Sequence, residues 1–384
     1  MQRLSQLSSH LGLDPVDRSA LSSAPTPHQK SSPANTNINT TTPTNMSKPK
    51  VIVTRQLIDE AQRILDEKKD ELEIVQWHSE KPCPRTWLLE NIPSASGLLC
   101  MLSDQINTEL LDAAGANLKT IASFSVGTDH IDRPALKDRG IRLGYTPTCL
   151  TDAVADLTVM LILMAQRRGG EAIGKVVAGE WPQMPWHPLL MTGPGLRGST
   201  VGFLGFGRIA QAALVRLLPF GIKRAVYLTS KPGQKVKEDH FDLLSTAKVP
   251  IEPAQSADQL AAESDVVVVG CALTKDTKHL VSTEFFKKMK KLAVVVNIAR
   301  GPVIDTNALV KALDEEQIFG AGLDVIENEP NIQADHPILK QPRCVLVPHI
   351  GSATIETREQ MATESVKNLL AGLSGDKMVN EVEL

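Results

Sequence analysis

The sequence predicts an α/β protein built from two doubly wound parallel sheets. Three observations carry this. Short β-branched runs alternate with segments of helical period from Lys50 onward. That alternation closes in one long apolar helix and starts again near Ser199. A Gly-x-Gly-x-x-Ala turn, Gly205 to Ala210, joins the first strand of the second series to its helix. Strands alternating with helical patterns form βαβ units, and βαβ units form parallel sheets.

The first series opens at Lys50-Val51-Ile52-Val53-Thr54, which reads as a buried strand. Leu57, Ile58, Ala61, Ile64 and Leu65 follow at helical spacing, then a strand at Leu72–Val75. Gly97–Leu102 and Thr120–Phe124 are further strands, separated by a helical Thr108–Ala114. Asp152–Arg168 is a long apolar helix, capped by Thr151 and ended by Gly169-Gly170. In the second series, Thr200–Leu204 and Ala225–Leu228 are strands around a helix at Ile209–Leu218. Asp265–Val269, Ala293–Asn297 and Gly320–Val325 are further strands joined by helical segments, Cys344–Val347 is the final apolar strand, and Thr354–Leu373 is a closing helix. No repeat of solenoid length is present.

Residues 1 to 48 differ in kind. They are rich in Ser, Thr, Asn, Gln and Pro, and such a segment buries too little apolar surface to offset its chain entropy. The expectation is a disordered extension ahead of the folded part. An interaction tail and a mitochondrial targeting peptide are the competing readings, and Asp14 and Asp17 fit the latter poorly.

Over the whole chain, 42% hydrophobic and 22% charged residues are ordinary for a globular protein. A formal charge of -3 gives no electrostatic case for nucleic acid or an anionic membrane. The longest apolar run, Leu157 to Ala165, is about half a membrane span. Five scattered cysteines without a C-x-x-C pair argue against zinc and disulfide frameworks, so a reducing, cytoplasmic setting fits best.

The glycine turn makes the second unit Rossmann-like. In Gly205-Phe206-Gly207-Arg208-Ile209-Ala210 the first glycine permits a tight turn and the second lets backbone approach a pyrophosphate. Ala210 still allows close packing of helix on strand, and the helix N-terminus from Arg208 and Ile209 faces the phosphates. An acid usually stands about twenty residues on, to bond the ribose 2′-hydroxyl. Here the strand ends Thr229-Ser230-Lys231, with no Asp or Glu between Gly221 and Lys237. Two hydroxyls and a cation suit a 2′-phosphate, which favours NADPH, with NADH as the alternative. A plain solvated loop is the other reading of Lys231.

Three further patterns end strands in chemistry: Arg300 in Asn297–Gly301, the acids of Asp324–Pro330, and His349 in Val347–Thr354. Ligands of open α/β sheets bind at strand carboxyl ends. One histidine beside a strand is more often structural, but an Arg, a Glu and a His all ending strands of one sheet suit carbonyl reduction. Arginine's fixed fork of donors holds a carboxylate and polarises a carbonyl. Histidine can deliver the proton that accompanies hydride, and a carboxylate beside it fixes its orientation.

These motifs, in this order, resemble the D-isomer-specific 2-hydroxyacid dehydrogenase family over about residues 49 to 384. Leu99–Asp104, Ser125–His130 and Pro348–Thr354 are similar to its glyoxylate/hydroxypyruvate reductase branch. The resemblance implies that Arg300 binds substrate, His349 is the acid/base and Glu329 its partner. It implies that Val126 and Gly127 amides, with Ser352, hold the substrate carboxylate. Asp324 would bond the nicotinamide amide, and Ala272, Ile298 and Gly351 would line the cofactor site. Ala210 for the third glycine, and Ala272 where a serine is common, depart from the family pattern.

The implied organisation is a discontinuous substrate domain, residues 49–150 plus 341–384, around a dinucleotide domain of residues 151–340. Residues 169–198 would form an arm embracing a second copy in a homodimer, with Trp186 reaching the partner's site. The implied reaction is NADPH-dependent reduction of glyoxylate or hydroxypyruvate to glycolate or D-glycerate. The alternatives are another D-2-hydroxy acid, such as D-3-phosphoglycerate or D-lactate, and an NAD(H)-sensing corepressor-like binding protein. Ser125, Thr128 and Asp129 beside Val126-Gly127 offer a phosphorylated substrate no extra cation. A sensor of NAD(H) would keep the acid that Thr229 replaces.

Overall fold

The computed structural model describes residues 48–384, and the predicted N-terminal extension, apart from Lys48, lies outside them. Two wholly parallel sheets form, as the alternation requires. The first has five strands in the order β2-β1-β3-β4-β5: β1 Lys50–Val53, β2 Glu73–Gln76, β3 Gly97–Cys100, β4 Thr120–Ser123 and β5 Arg142–Gly144. The second has seven, ordered β12-β11-β10-β9-β6-β7-β8. These are β6 Thr200–Leu204, β7 Arg224–Leu228, β8 Ile251–Pro253, β9 Val266–Val269, β10 Val294–Asn297, β11 Gly320–Leu323 and β12 Cys344–Leu346.

The central strands β1, β3, β4, β6, β9, β10 and β11 are covered on both faces, which is why they read as unbroken apolar runs rather than alternating ones. Each sheet separates two apolar clusters. Phe286, Leu309 and Leu313 lie in one cluster of the larger sheet, and Leu161, Phe203 and Leu214 in the other. The helix Thr151–Gln166 packs on β10, β11 and the helix Arg208–Leu217. The 20-residue helix Ile355–Ser374 covers β3, β4 and β5 of the smaller sheet. A small cluster of Leu150, Val154 and Met361 packs with Phe124, Val126, Ile209 and Ile298, so it joins both sheet systems where their strands end.

Three features depart from the sequence reading. The chain was expected to leave the second unit near residue 341, yet β12 pairs with β11 from Ala321↔Cys344 to Leu323↔Leu346. The return to the smaller sheet therefore comes after Leu346, because Val345 is buried in the larger sheet's core. Residues 169–198 open with a helix, Gly169–Val177, where turns were expected; none of its residues is buried. Arg168 at φ 52° breaks the long helix from this one. The short edge strands β5 and β8 and the helices Arg85–Asn91 and Arg133–Asp138 were not anticipated. Three-residue strands carry too little periodicity to read, and Pro253 is tolerated only because β8 is an edge.

Candidate active site

Parallel pairing puts every strand's carboxyl end on one edge of its sheet, and the two edges face a shared cleft of about 1140 Å³. The loops after β1, β3 and β4 form one wall; those after β9, β10, β11 and β12 contribute to the other.

At the nucleotide end, Gly205 sits at φ +86°, and a Cβ there would lie 2.7 Å from the backbone N and Cα of Cys271. Only glycine fits this turn. Gly207 is the opposite case: a Cβ would meet nothing within 4 Å. It caps the helix Arg208–Leu217 without a side-chain bond, and among the described residues the amides of Gly207, Arg208 and Ile209 reach no protein acceptor. Open space before unpaired helix-end amides fits a pyrophosphate. After β7, Lys231 N donates to Thr229 Oγ1 at 3.2 Å, folding Thr229-Ser230-Lys231 into a tight turn. Lys231 and Arg208 make no ion pair among the described residues.

Arg300 follows β10. Buried Asn297 shapes the loop, accepting from Ala299 N at 3.0 Å and donating to Arg300 O at 3.0 Å. The guanidinium crosses the cleft: Nε donates to Asp129 Oδ1 at 2.9 Å, while Nη1 returns to Ala299 O at 2.8 Å. Its Nη2 edge lies on Gly127, where a Cβ would stand 1.7 Å from that nitrogen. The Gly127 loop is braced by Ser125, whose hydroxyl donates to Gly127 O at 2.7 Å. Among the described residues the amides of Val126, Gly127 and Thr128 donate to no protein acceptor. A guanidinium edge beside three unpaired amides is a carboxylate-sized anion site.

His349 follows β12 at φ 53°, with its amide on Asp324 O at 2.9 Å. Its Nδ1 lies 2.8 Å from Glu329 Oε1, and Glu329 Oε2 accepts from Ile326 N at 3.1 Å. Nδ1 is thereby engaged, which leaves Nε2 for the cleft. Asp324 is buried and accepts from Ile350 N at 2.7 Å and Gly351 N at 3.0 Å. Burial raises its carboxyl above the ordinary range, while those two amides pull it back. Its position after β11 thus pins the histidine loop to the sheet.

The cleft is lined by Val126, Gly127, Arg300, His349, Gly351 and Ser352, together with Ile209, Ala272, Ile298 and Asp324. Glu329 stands behind His349 rather than in the lining, and Thr229, Ser230 and Lys231 stand beyond it. Trp186 does not line the cleft of its own chain; it is 82% exposed. Sequence reading assigned no role to Asp129, Arg55 or Arg358, which also line the cleft. Arg55 follows β1 as Arg300 follows β10, so a cation at a strand's carboxyl end was the available signal. Arg358, over the Phe124 ring at 5.9 Å, lies within a helix and gave none.

A glycine turn opening a helix beside a cleft that holds an acid-paired histidine and an arginine defines a dinucleotide-dependent oxidoreductase. Residues 159–351 match the family model of the D-isomer specific 2-hydroxyacid dehydrogenase NAD binding domain. The chain belongs to the D-isomer specific 2-hydroxyacid dehydrogenase family and is an NAD(P)-dependent enzyme of it. It is 47% identical over 336 residues to a glyoxylate reductase/hydroxypyruvate reductase of Mus musculus, covering 87% of this chain and 98% of that one. A glyoxylate reductase of Thermofilum pendens is 44% identical, with 86% and 93% covered. Among solved structures, an NADPH-dependent glyoxylate/hydroxypyruvate reductase of Sinorhizobium meliloti, in complex with NADP and malonate, matches with a TM-score of 0.71 and 29% identity. That match covers 88% of this chain and 97% of the other.

Proposed function

We propose that this enzyme reduces glyoxylate and hydroxypyruvate to glycolate and D-glycerate with NADPH. The observation that carries the proposal is the Arg300 guanidinium packed on Gly127, in a loop whose Val126 and Gly127 amides are unpaired, in the cleft that also holds His349. The names of the Mus musculus and Sinorhizobium meliloti relatives support this substrate class. In this reading Arg300 and the two amides, with Ser352, hold the substrate carboxylate and turn the keto oxygen towards His349 Nε2. A bound reduced nicotinamide supplies the hydride. The hydride goes to the carbonyl carbon, the C=O π pair moves onto oxygen, and His349 gives that oxygen its proton, so the keto group becomes a carbon bearing H and OH. Glu329 keeps the ring oriented throughout, and Asp324 holds the loop that carries it; the same carboxylate faces the cleft for the nicotinamide amide.

The smaller sheet's unit serves the substrate and the larger sheet's unit the cofactor, with Ile209, Ala272, Ile298 and Gly351 against the dinucleotide. Thr229, Ser230 and Lys231 take the 2′-phosphate, a reading supported by the missing acid after β7 and the turn seen there. The arm of residues 169–198 meets a second copy. No helix among the described residues is long and apolar enough to cross a membrane.

One substrate panel tests the proposal: glyoxylate, hydroxypyruvate, pyruvate and 3-phosphohydroxypyruvate, each with NADPH and with NADH. Preferential NADPH oxidation by the first two is expected. Preference for a phosphorylated keto acid would overturn the substrate assignment, and absence of any turnover would favour the sensing role. Thr229→Asp with Lys231→Ala should move preference towards NADH, since the carboxylate repels a phosphate and accepts from a free ribose hydroxyl. An unchanged cofactor ratio would remove the turn from the assignment.

A further inference from the structure

Arg300 is held by a residue from the opposite wall. Its Nε–H donates to Asp129 Oδ1 at 2.9 Å, and one Nη1–H donates to Ala299 O at 2.8 Å. Of the five guanidinium N–H groups these two are committed, which leaves one on Nη1 and both on Nη2. The Nη2 edge is the one against Gly127, beside the unpaired amides of Val126, Gly127 and Thr128. We propose that Asp129 is a positioning residue for substrate binding: it fixes the plane of the Arg300 guanidinium so that the Nη2 edge, and no other, meets the substrate carboxylate.

A Cβ on Gly127 would lie 2.8 Å from Asp129 Oδ1 and 1.7 Å from Arg300 Nη2, so the carboxylate and the guanidinium crowd one side of the glycine. The loop carrying Asp129 is braced just before it: Ser125 Oγ is 2.6 Å from Ser123 Oγ and donates to Gly127 O at 2.7 Å. The Arg300 side chain is 20% exposed, so its long, rotamer-rich chain ends in a place where one bond can decide its orientation. The ion pair also joins the loop after β4 to the loop after β10, tying the two sheet systems together at the point of binding. A guanidinium freed from Asp129 could turn its Nε side to the substrate and lose the match between its fork and the carboxylate.

The inference rests on the proposed role of Arg300, and the experiment separates the two. Steady-state kinetics on the full chain compare Asp129→Ala, Asp129→Asn and Arg300→Ala, with NADPH binding followed by fluorescence to establish folding. Asp129→Ala should raise the KM for glyoxylate about tenfold, a loss the size of one misaligned charge-assisted bond. The change in kcat should be smaller, and the KM for NADPH should stay put. The inhibition constant of oxamate, an unreactive keto-acid analogue, should rise by the same factor. Asp129→Asn keeps an oxygen that accepts from Nε and should recover most of the loss. A glyoxylate KM that is unchanged or lower in Asp129→Ala overturns the proposal, as does an asparagine variant no better than the alanine. If Arg300→Ala itself keeps the wild-type KM, it is the substrate-site reading that fails, whatever Asp129 does.

Discussion

His349 Nδ1 and Glu329 Oε1 stand 2.8 Å apart, on loops that follow different strands of one parallel sheet. The carboxylate is not free to follow the ring, because its other oxygen accepts from Ile326 N at 3.1 Å. The ring is therefore aimed by a fixed support, and its remaining nitrogen is the one that meets the cleft. A site of this kind separates proton delivery from cofactor binding, since the glycine turn lies on another loop.

The first prediction follows from that separation. His349→Ala should lower turnover by roughly a hundred- to ten-thousandfold, the range typical of a lost general acid. NADPH affinity should change little, because the amides of Gly207, Arg208 and Ile209 are untouched. Glu329→Gln should fall between the two, as it keeps a carbonyl that can accept from Nδ1. Reduction at near wild-type rate in His349→Ala would make the histidine structural.

Gly205 and Gly207 should fail differently. A methyl at Gly205 meets the Cys271 backbone at 2.7 Å and demands φ +86° of a side-chain-bearing residue, so Gly205→Ala should destabilise the protein by about 1–3 kcal/mol. Gly207→Ala puts a methyl into empty space, so it should fold as well as wild type yet bind NADPH at least tenfold more weakly. Thermal melts and cofactor titrations of the two variants check this. Equal losses of stability would show that Gly207 is a packing residue.

This glycine pair also marks how far the sequence was readable. The strand, turn and helix around it were legible because local pattern and special φ coincide there. Arg300, Glu329 and His349 were legible for a similar reason: each directly follows or nearly follows an apolar strand. What was hidden depends on contacts across the chain. Asp129 meets Arg300 from 171 positions away, and only the fold makes it a neighbour. The place of β12 was misjudged because an apolar run at Cys344–Val347 looks the same whichever sheet it joins, and pairing with β11 settles it. The helix Gly169–Val177 was missed because its paired glycines read as a stop signal.

His130 supplies a pH prediction. Burial pushes its imidazole down to about 4, with Nε2 3.2 Å from Ser123 Oγ and Nδ1 buried without a partner. A histidine whose folded value lies below its unfolded one of about 6.5 binds its proton more readily when unfolded. Its contribution to stability is then complete above about pH 6.5 and is lost as pH falls towards 4. The size is at most about 3 kcal/mol, with partial solvent access reducing it. His130→Asn keeps a bond to Ser123 but cannot titrate, so its melting temperature should depend less on pH across that window. Parallel pH profiles for the two proteins would show that acid sensitivity arises elsewhere.

The last prediction concerns the arm. The helix Gly169–Val177 buries none of its residues, and Val177 and Trp186 are 81% and 82% exposed. Trp181 and Leu189 on the same segment are 67% and 76% exposed, so one excursion carries several large apolar side chains into water. Apolar surface gathered this densely usually marks an interface. A second copy is the simplest cover, since a two-fold contact lets one arm wrap the partner while being wrapped in turn. The protein should therefore sediment as a dimer at micromolar concentration. Val177→Asp with Leu189→Asp should convert it to monomer, because two charges would be buried at each contact. Trp186→Ala should weaken the dimer only modestly while raising the KM for hydroxypyruvate and admitting bulkier 2-keto acids, if its indole closes the partner's cleft. Those two effects are separable: a monomer with full activity ends the shared-site reading, and a Trp186→Ala dimer with an unaltered substrate profile leaves the arm as an assembly device alone.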